Sequence, residues 1–253
     1  MKFACLLTLF GALGTLRAAP TLALGDQESL LYHVAWIVIP GAGEIKVSAH
    51  AVATPHGPPQ MRIISTTATR GLARLLLSFD ARAESLFDTG SGRLLWLSES
   101  SETNMEKAAH TVVFDYARRT ANYANSLVRA PVRALPMPPG EPTDLITCLL
   151  LARTWNLRPG GQHDALVLFN DDFYLLTIHA RGYETVSTPL GTFNTLVLEP
   201  RMEKTPPLGM FKRGSTVRVW ISQDDRRLPV RFQVHFKVGS GIATLVEYHP
   251  PAR

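Results

Sequence analysis

The chain has 253 residues, 26 Lys and Arg against 21 Asp and Glu, and 45% apolar residues. With only 19% charged residues it is too greasy and too weakly charged to be intrinsically disordered. It shows no Gly-X-Y period, heptad pattern or Cys/His array, which excludes collagen-like, coiled-coil and zinc-finger classes. The length gives one large domain, or two small ones, ample surface for a core.

Residues 1–18 read as a secretory signal peptide. Lys2 supplies the positive start, Phe3 to Leu16 is apolar apart from Thr and Gly, and the small residues Ala18 and Ala19 follow. A membrane anchor is the alternative, but the run falls short of the ~20 apolar residues of a spanning helix. Cys5 lies within the apolar run, too early for a lipobox, so no lipid anchor is expected. The expected product is a single antiparallel β domain over 19–253, periplasmic or secreted. It has no transmembrane span in the mature chain, and peripheral contact with the envelope is open to it.

Cleavage removes Lys2 and Arg17, leaving 24 basic against 21 acidic residues, a net +3. The basic residues are scattered rather than gathered in a patch, which argues against a nucleic-acid partner. Only Cys148 survives cleavage, so no internal disulfide can form. It sits in the run Leu145-Ile146-Thr147-Cys148-Leu149-Leu150-Leu151, the setting of a buried, inert thiol rather than a nucleophile.

From residue 29 onward, short runs rich in Val, Ile, Phe, Tyr and Thr alternate with Gly, Pro, Asn and Asp. Strands are predicted near 29–39, 44–53, 60–66, 81–88, 93–100, 108–116 and 120–127. A second series is predicted at 163–170, 172–180, 183–188, 193–200, 216–222, 228–238 and 242–249. Thr89–Gly92, Ala180-Arg181-Gly182 and Gly239-Ser240-Gly241 read as hairpin turns. Few connections are long enough for parallel crossovers, so the expected fold is mainly β, one large antiparallel sheet curved into an open or partly closed barrel. The Pro-rich stretch Arg129–Pro142 reads as an extended linker between the two runs of strands.

Between residues 228 and 238, Leu, Val and Phe alternate with Pro229, Arg231, Gln233, His235 and Lys237, giving one buried and one wet face. In the neighbouring run Val217, Val219 and Ile221 face in, and Thr216, Arg218, Trp220 and Ser222 face out. Asp172–Ala180 is apolar on both faces, so it meets either a covering element or a ligand cavity. A covering helix is predicted over Leu145–Leu157, with Thr143 or Asp144 as N-cap and Arg158-Pro159-Gly160-Gly161 ending it. Apolar round most of its circumference, it is a buried helix. A short helix is predicted from Gly71 to Leu77.

Several stretches carry a family resemblance. They are Leu31–Trp36, Asp80–Asp88, Asp144-Leu145 with the helix that follows, Pro189–Phe193, and Val219–Val230 with its Trp220-Ile221-Ser222-Gln223-Asp224-Asp225-Arg226-Arg227-Leu228-Pro229 core. In this order, over roughly 29–249, the chain resembles the domain-of-unknown-function 3108 family of exported bacterial proteins. It departs from the family's pattern at Pro55–Pro59. The resemblance implies an envelope-facing, mostly β protein and no known activity or catalytic residues. In architecture alone the pattern is also similar to the half-barrels that carry lipoproteins through the periplasm.

No catalytic constellation emerges, and neither a cofactor nor a metal is expected. Gly90-Ser91-Gly92 and Gly239-Ser240-Gly241 lack the strand-to-helix setting of a nucleophile elbow. No phosphate loop or His-Glu-x-x-His is present, and Asp171-Asp172 and Asp224-Asp225 fall where turns belong. The candidate ligand-binding residues are Arg218, Trp220, Arg231 and His235. A four-residue loop at 223–226 would set Arg218 opposite Arg231 and Trp220 opposite Pro229 on the outer face. Facing like charges call for an anion. An acidic glycan or lipid headgroup could supply it, or else Glu199 or Glu247 from adjacent strands. The expected function is a non-enzymatic binding or carrier module for a lipidic or glycan envelope component. The alternative is a structural or assembly partner in the cell envelope.

Overall fold

The computed structural model describes residues 22–252 apart from 38, 56, 208–210, 212–214 and 237–238. The signal peptide expected at 1–18 lies outside the described residues. The first series of strands is β1 (Ser29–Trp36), β2 (Ile39–Val52), β3 (Gln60–Thr69), β4 (Phe79–Asp88), β5 (Leu94–Thr103), β6 (Lys107–Asp115), β7 (Thr120–Asn125) and β8 (Arg133–Pro136), with helix α1 (Gly71–Leu76) between β3 and β4. Then come β9 (Pro142–Asp144), helix α2 (Leu145–Leu151) continued by a 3-10 turn (Ala152–Thr154), β10 (Gln162–Phe169), β11 (Asp172–Thr188), β12 (Gly191–Arg201), β13 (Thr216–Ser222), β14 (Pro229–Phe236) and β15 (Gly239–His249).

All fifteen strands form one sheet in the order β8-β7-β6-β5-β4-β3-β2-β1-β15-β14-β13-β12-β11-β10-β9. Two meanders are thus joined by the pairing of the first strand with the last. The short edge strand β9 runs parallel to β10, an exception to the antiparallel rule. The sheet does not close, because its two edges β8 and β9 are not hydrogen-bonded to each other. Side chains bridge the seam instead. Arg93 holds Glu141 through two hydrogen bonds, Arg133 of β8 pairs with Asp171, and Arg119 donates to the carbonyls of Pro138 and Gly140.

Two predicted turns are absent. Ala180-Arg181-Gly182 is a bulge inside the single 17-residue strand β11, whose two halves both pair with β12. Neither Arg181 nor Gly182 takes the positive φ that a tight hairpin favours. Gly239-Ser240-Gly241 likewise belongs to β15 and pairs with Val234, His235 and Phe236. The turn at 89–92 is present, with Gly92 at φ 72° and the Asp88 carboxylate accepting from Ser91 N–H.

α2 starts where expected. Asp144 is its N-cap, and its carboxylate accepts from Thr147 N–H at 2.8 Å. The helical path stops at Thr154 rather than Leu157. There the Arg227 guanidinium takes the carbonyls of Arg153 and Trp155, Trp155 turns extended, and its ring stacks on His163 at 4.0 Å. Arg153, the charged residue of this segment, pairs with buried Glu28 at 2.6 Å.

Two apolar clusters flank α2. Leu145, Cys148, Leu149 and Ala152 pack with Tyr174, Leu176, Ile178, Leu196, Leu198, Val219 and Ile221. Ile146, Leu150 and Leu151 belong to a larger cluster that takes in Val47, Ile63, Phe87, Leu97 and Val112 of the first meander. Val197 and Trp220, which alternate with members of the smaller cluster, also join the larger one, so β12 and β13 are buried on both faces.

Candidate functional site

The floor of a groove beside α2 is read directly from the register. One row of side chains crosses β2 to β6 as Ala49, Ile63, Ser85, Leu97 and Val112, all buried. Two residues further along each strand the row reads Val47, Ser65, Ala83, Glu99 and His110; the next reads Ile45, Thr67, Ala81, Ser101 and Ala108. Period-two alternation places all three rows on one face. Side chains therefore change from large and apolar to small and polar along the strands, and burial falls in the same direction. Leu145 and Ile146 of α2, with Phe169 and Asn170 from the β10–β11 turn, roof the outer rows and leave a cavity of about 380 Å³.

Glu99 and His110 stand opposite each other on this floor, Oε2 to Nε2 at 3.1 Å. The His110 ring is fixed by stacking on Tyr123 at 5.1 Å, and the residue is only 6% exposed. The approach to Glu99 lies off the hydrogen-bonding direction, so His110 Nε2 has no hydrogen-bond partner in the protein. Behind the pair, buried Asp144 accepts from Ser85 Oγ at 2.7 Å. Burial raises the Asp144 carboxyl above its ordinary range; hydrogen bonds from Thr147 and Ser85 oppose the rise, and the charge of Glu99 adds to it. Arg82 also lines the cavity, but its guanidinium is held by Glu84 at 2.7 Å.

The sequence reading missed Glu99 and His110. The available signal was parity: Glu99 shares its face with Leu97, and His110 shares its face with Val112 and Phe114. Inward-facing ionisable groups on apolar faces are uncommon.

The four residues singled out from the sequence are arranged differently from expectation. Between Trp220 and Ile221 the β13–β14 register shifts, so Arg231 pairs with Trp220, and Arg218 faces Gln233 rather than Arg231. The loop runs 223–227, one residue longer than expected, with Ser222 N–H donating to the Leu228 carbonyl, and a bulge adds one further residue to β14. Trp220 is not on a wet face. It is 4% exposed, donates Nε1–H to Glu184 at 2.8 Å, and lies under the Arg231 guanidinium at 5.9 Å. His235 is exposed and pairs with Thr216 at the far end of the strand.

Arg218 is neutralised from the adjacent strand, as one of the two expected arrangements required. Glu199, its side chain 7% exposed, gathers Arg201 at 2.6 Å, Arg181 at 3.1 Å and Arg218 at 3.8 Å. Burial pushes the Glu199 carboxyl up, and the hydrogen bonds from Arg181 and Arg201 outweigh it, so the carboxyl lies below its ordinary value.

The doubly apolar 172–180 segment has mixed surroundings. Tyr174 and Leu176 meet the cluster containing α2, and Phe173 packs on the larger cluster. Leu175 lines a second cavity of about 340 Å³ with Phe87, Cys148, Trp155 and Leu166. Cys148 is free and buried, its thiol pushed up to about 12 by burial. Asp171 pairs with Arg133; Asp224 accepts from Ser222 Oγ and Arg226 within its turn. Among the described residues no group of three or more His, Cys, Asp or Glu could hold a metal ion, and no helix is long and apolar enough to cross a membrane.

A single unclosed sheet of this size, with a helix between its faces, defines a barrel-like β protein. The sequence profile described as "Protein of unknown function (DUF3108)" matches residues 31–246, and the chain belongs to that family. A solved structure described as a beta-barrel-like protein of domain of unknown function DUF1849, from Brucella abortus, matches with a TM-score of 0.53 at 7% identity. The match covers 89% of this chain and 98% of that one. At that identity the likeness is one of fold. No curated protein matches the chain.

Proposed function

We propose that the protein is exported and serves as a non-enzymatic binding or carrier module for a lipidic component of the cell envelope, held in the groove between α2 and the floor of β3 to β6. One observation carries this reading. The floor is built of small side chains (Ser65, Ala81, Ala83, Ser101, Ala108) where a filled core would place large ones, and it leaves about 380 Å³ between them and the helix. The N-terminal pattern of residues 1–18 supports export. The test is mass spectrometry of an organic extract from protein purified out of its native envelope, beside the variant Ala83→Phe. An apolar molecule carried by the wild type and lost from Ala83→Phe is the expected result. Extracts empty of any such molecule in both would overturn the reading.

A second reading, a structural or assembly partner of another envelope protein, is favoured by a different observation. Strand direction places the β1–β2, β3–β4, β5–β6 and β7–β8 connections at one end of the sheet. Nine of the twelve exposed large apolar side chains among the described residues lie in them: Ile37, Leu72, Leu75, Leu76 and Leu77, Met105, Leu127, Val128 and Val132. Apolar surface concentrated in this way marks an interaction site more often than scattered residues do. A photo-cross-linker at Leu75 should capture a discrete protein in cells, while the same probe at Leu190, at the opposite end, should not. Equal capture at both positions counts against this reading.

A further inference from the structure

We propose that the groove selects a ligand with an uncharged hydrogen-bonding head, a hydroxyl or amide, and rejects an anionic one. This rests on the groove reading above and adds the chemistry of the cargo. His110 Nε2 is a buried polar atom without a hydrogen-bond partner, on the wall of the cavity. The other ionisable lining residues are Glu99 and Arg82, and the remainder is Ala, Ser, Thr, Phe, Leu145, Ile146 and Asn170. An unpaired buried polar atom costs about 1–3 kcal/mol; the Glu99 carboxylate at 3.1 Å offsets part of this, and a ligand head that bonds to the ring nitrogen recovers the rest.

The charge around that atom decides which head fits. Glu99 lies 3.1 Å away and is 26% exposed, so it presents a carboxylate to the same space. Asp144 is a second carboxyl behind it, close enough for the Glu99 charge to act on it. The lining cation, Arg82, is already held by Glu84. A carboxylate or phosphate head would therefore meet Glu99 without a free counter-charge. A hydroxyl, with its one proton, can donate to Glu99 while accepting from a protonated His110 Nε2, or donate to His110 Nε2 when that nitrogen is bare. The small residues Ala81, Ala83 and Ala108 then leave room for the apolar body beside the head.

The experiment is displacement of the apolar fluorophore N-phenyl-1-naphthylamine from the whole chain by dodecanol and dodecanoate at neutral pH. Dodecanol should displace it about ten-fold more tightly than dodecanoate. In Glu99→Gln, which keeps shape and removes charge, that gap should close to about two-fold through tighter dodecanoate binding. His110→Phe should weaken dodecanol about ten-fold. Dodecanoate binding as tightly as dodecanol, or a gap untouched by Glu99→Gln, overturns the inference and leaves the groove reading standing. A fluorophore that binds and is displaced by neither alcohol nor acid overturns both.

Discussion

Ser85 Oγ donates to Asp144 Oδ2 at 2.7 Å across 59 residues of chain, so one carboxyl both caps α2 and fastens it to β4. Asp144→Ala should lose the cap, about 1 kcal/mol, and leave the buried Ser85 hydroxyl unpaired, about 1–3 kcal/mol more. Urea unfolding of the two proteins measures the sum. Asp144→Asn keeps the acceptor for Thr147 N–H and should lose much less. The two carboxyl states also differ with pH. A buried carboxyl raised above its ordinary 3.8 binds its proton more tightly folded than unfolded. Its contribution to stability is thus complete below 3.8 and is lost as the pH climbs through the folded value. Wild type should lose stability relative to Asp144→Asn on going from acid to neutral pH; a constant difference would refute the assignment.

Glu199 works in the opposite sense. Three arginines converge on one nearly buried carboxylate, and removing its charge leaves them repelling one another. Glu199→Gln should destabilise the protein by about 2 kcal/mol at neutral pH, read from the shift of its unfolding midpoint. Because the folded carboxyl lies below its ordinary 4.5, its contribution is full above 4.5 and disappears as the pH falls through the lowered value. The difference between Glu199→Gln and wild type should therefore shrink in acid.

Much of the fold was legible because period-two alternation and turn residues are local signals. Strands β1 to β7, the Asp144 cap and the short helix after Gly71 all follow from residues a few positions apart, whereas β8 lies in the Pro-rich stretch expected to be a linker. What failed was register. Arg181-Gly182 has the composition of a turn, yet both flanks pair with β12; only the partner strand decides between hairpin and bulge. A loop of five residues rather than four, closed by Ser222 N–H to the Leu228 carbonyl, and the extra residue of β14 together moved Arg231 from Arg218 to Trp220. The Glu99–His110 pair needed the register of β5 with β6, set by the turn between Thr103 and Glu106, where Thr103 N–H donates to the Glu106 carbonyl at 2.8 Å. Alternation names the face of a residue; hydrogen-bonded neighbours name its partner.

Cys148 should be chemically silent in the folded protein. With its thiol pushed up to about 12 and its side chain buried in the α2 cluster, roughly one molecule in ten thousand carries a thiolate at pH ~8. Iodoacetamide should leave Cys148 unlabelled in the native protein and label it fully in urea. Partial labelling in the native state would mean that α2 opens on the timescale of the reaction. Cys148→Ser should cost about 1–3 kcal/mol for a buried hydroxyl without a ready partner.

The last prediction compares two glycines in one protein. A Cβ on Gly43 of β2 would sit 2.9 Å from the Ala68 carbonyl oxygen and 3.5 Å from Val34 Cβ. The crowding atom is backbone in a paired strand, so relief requires β2 and β3 to move apart. Gly43→Ala should destabilise by about 1–3 kcal/mol. At Gly182, inside the bulge of β11, a Cβ would meet nothing within 4 Å and the backbone has no positive φ. Gly182→Ala should therefore be neutral or stabilise by up to about 1 kcal/mol, through the lower entropy of the unfolded chain. Thermal unfolding of the pair distinguishes crowding from a general intolerance of alanine in the sheet. Equal losses at both sites would show that the bulge, too, is tightly packed.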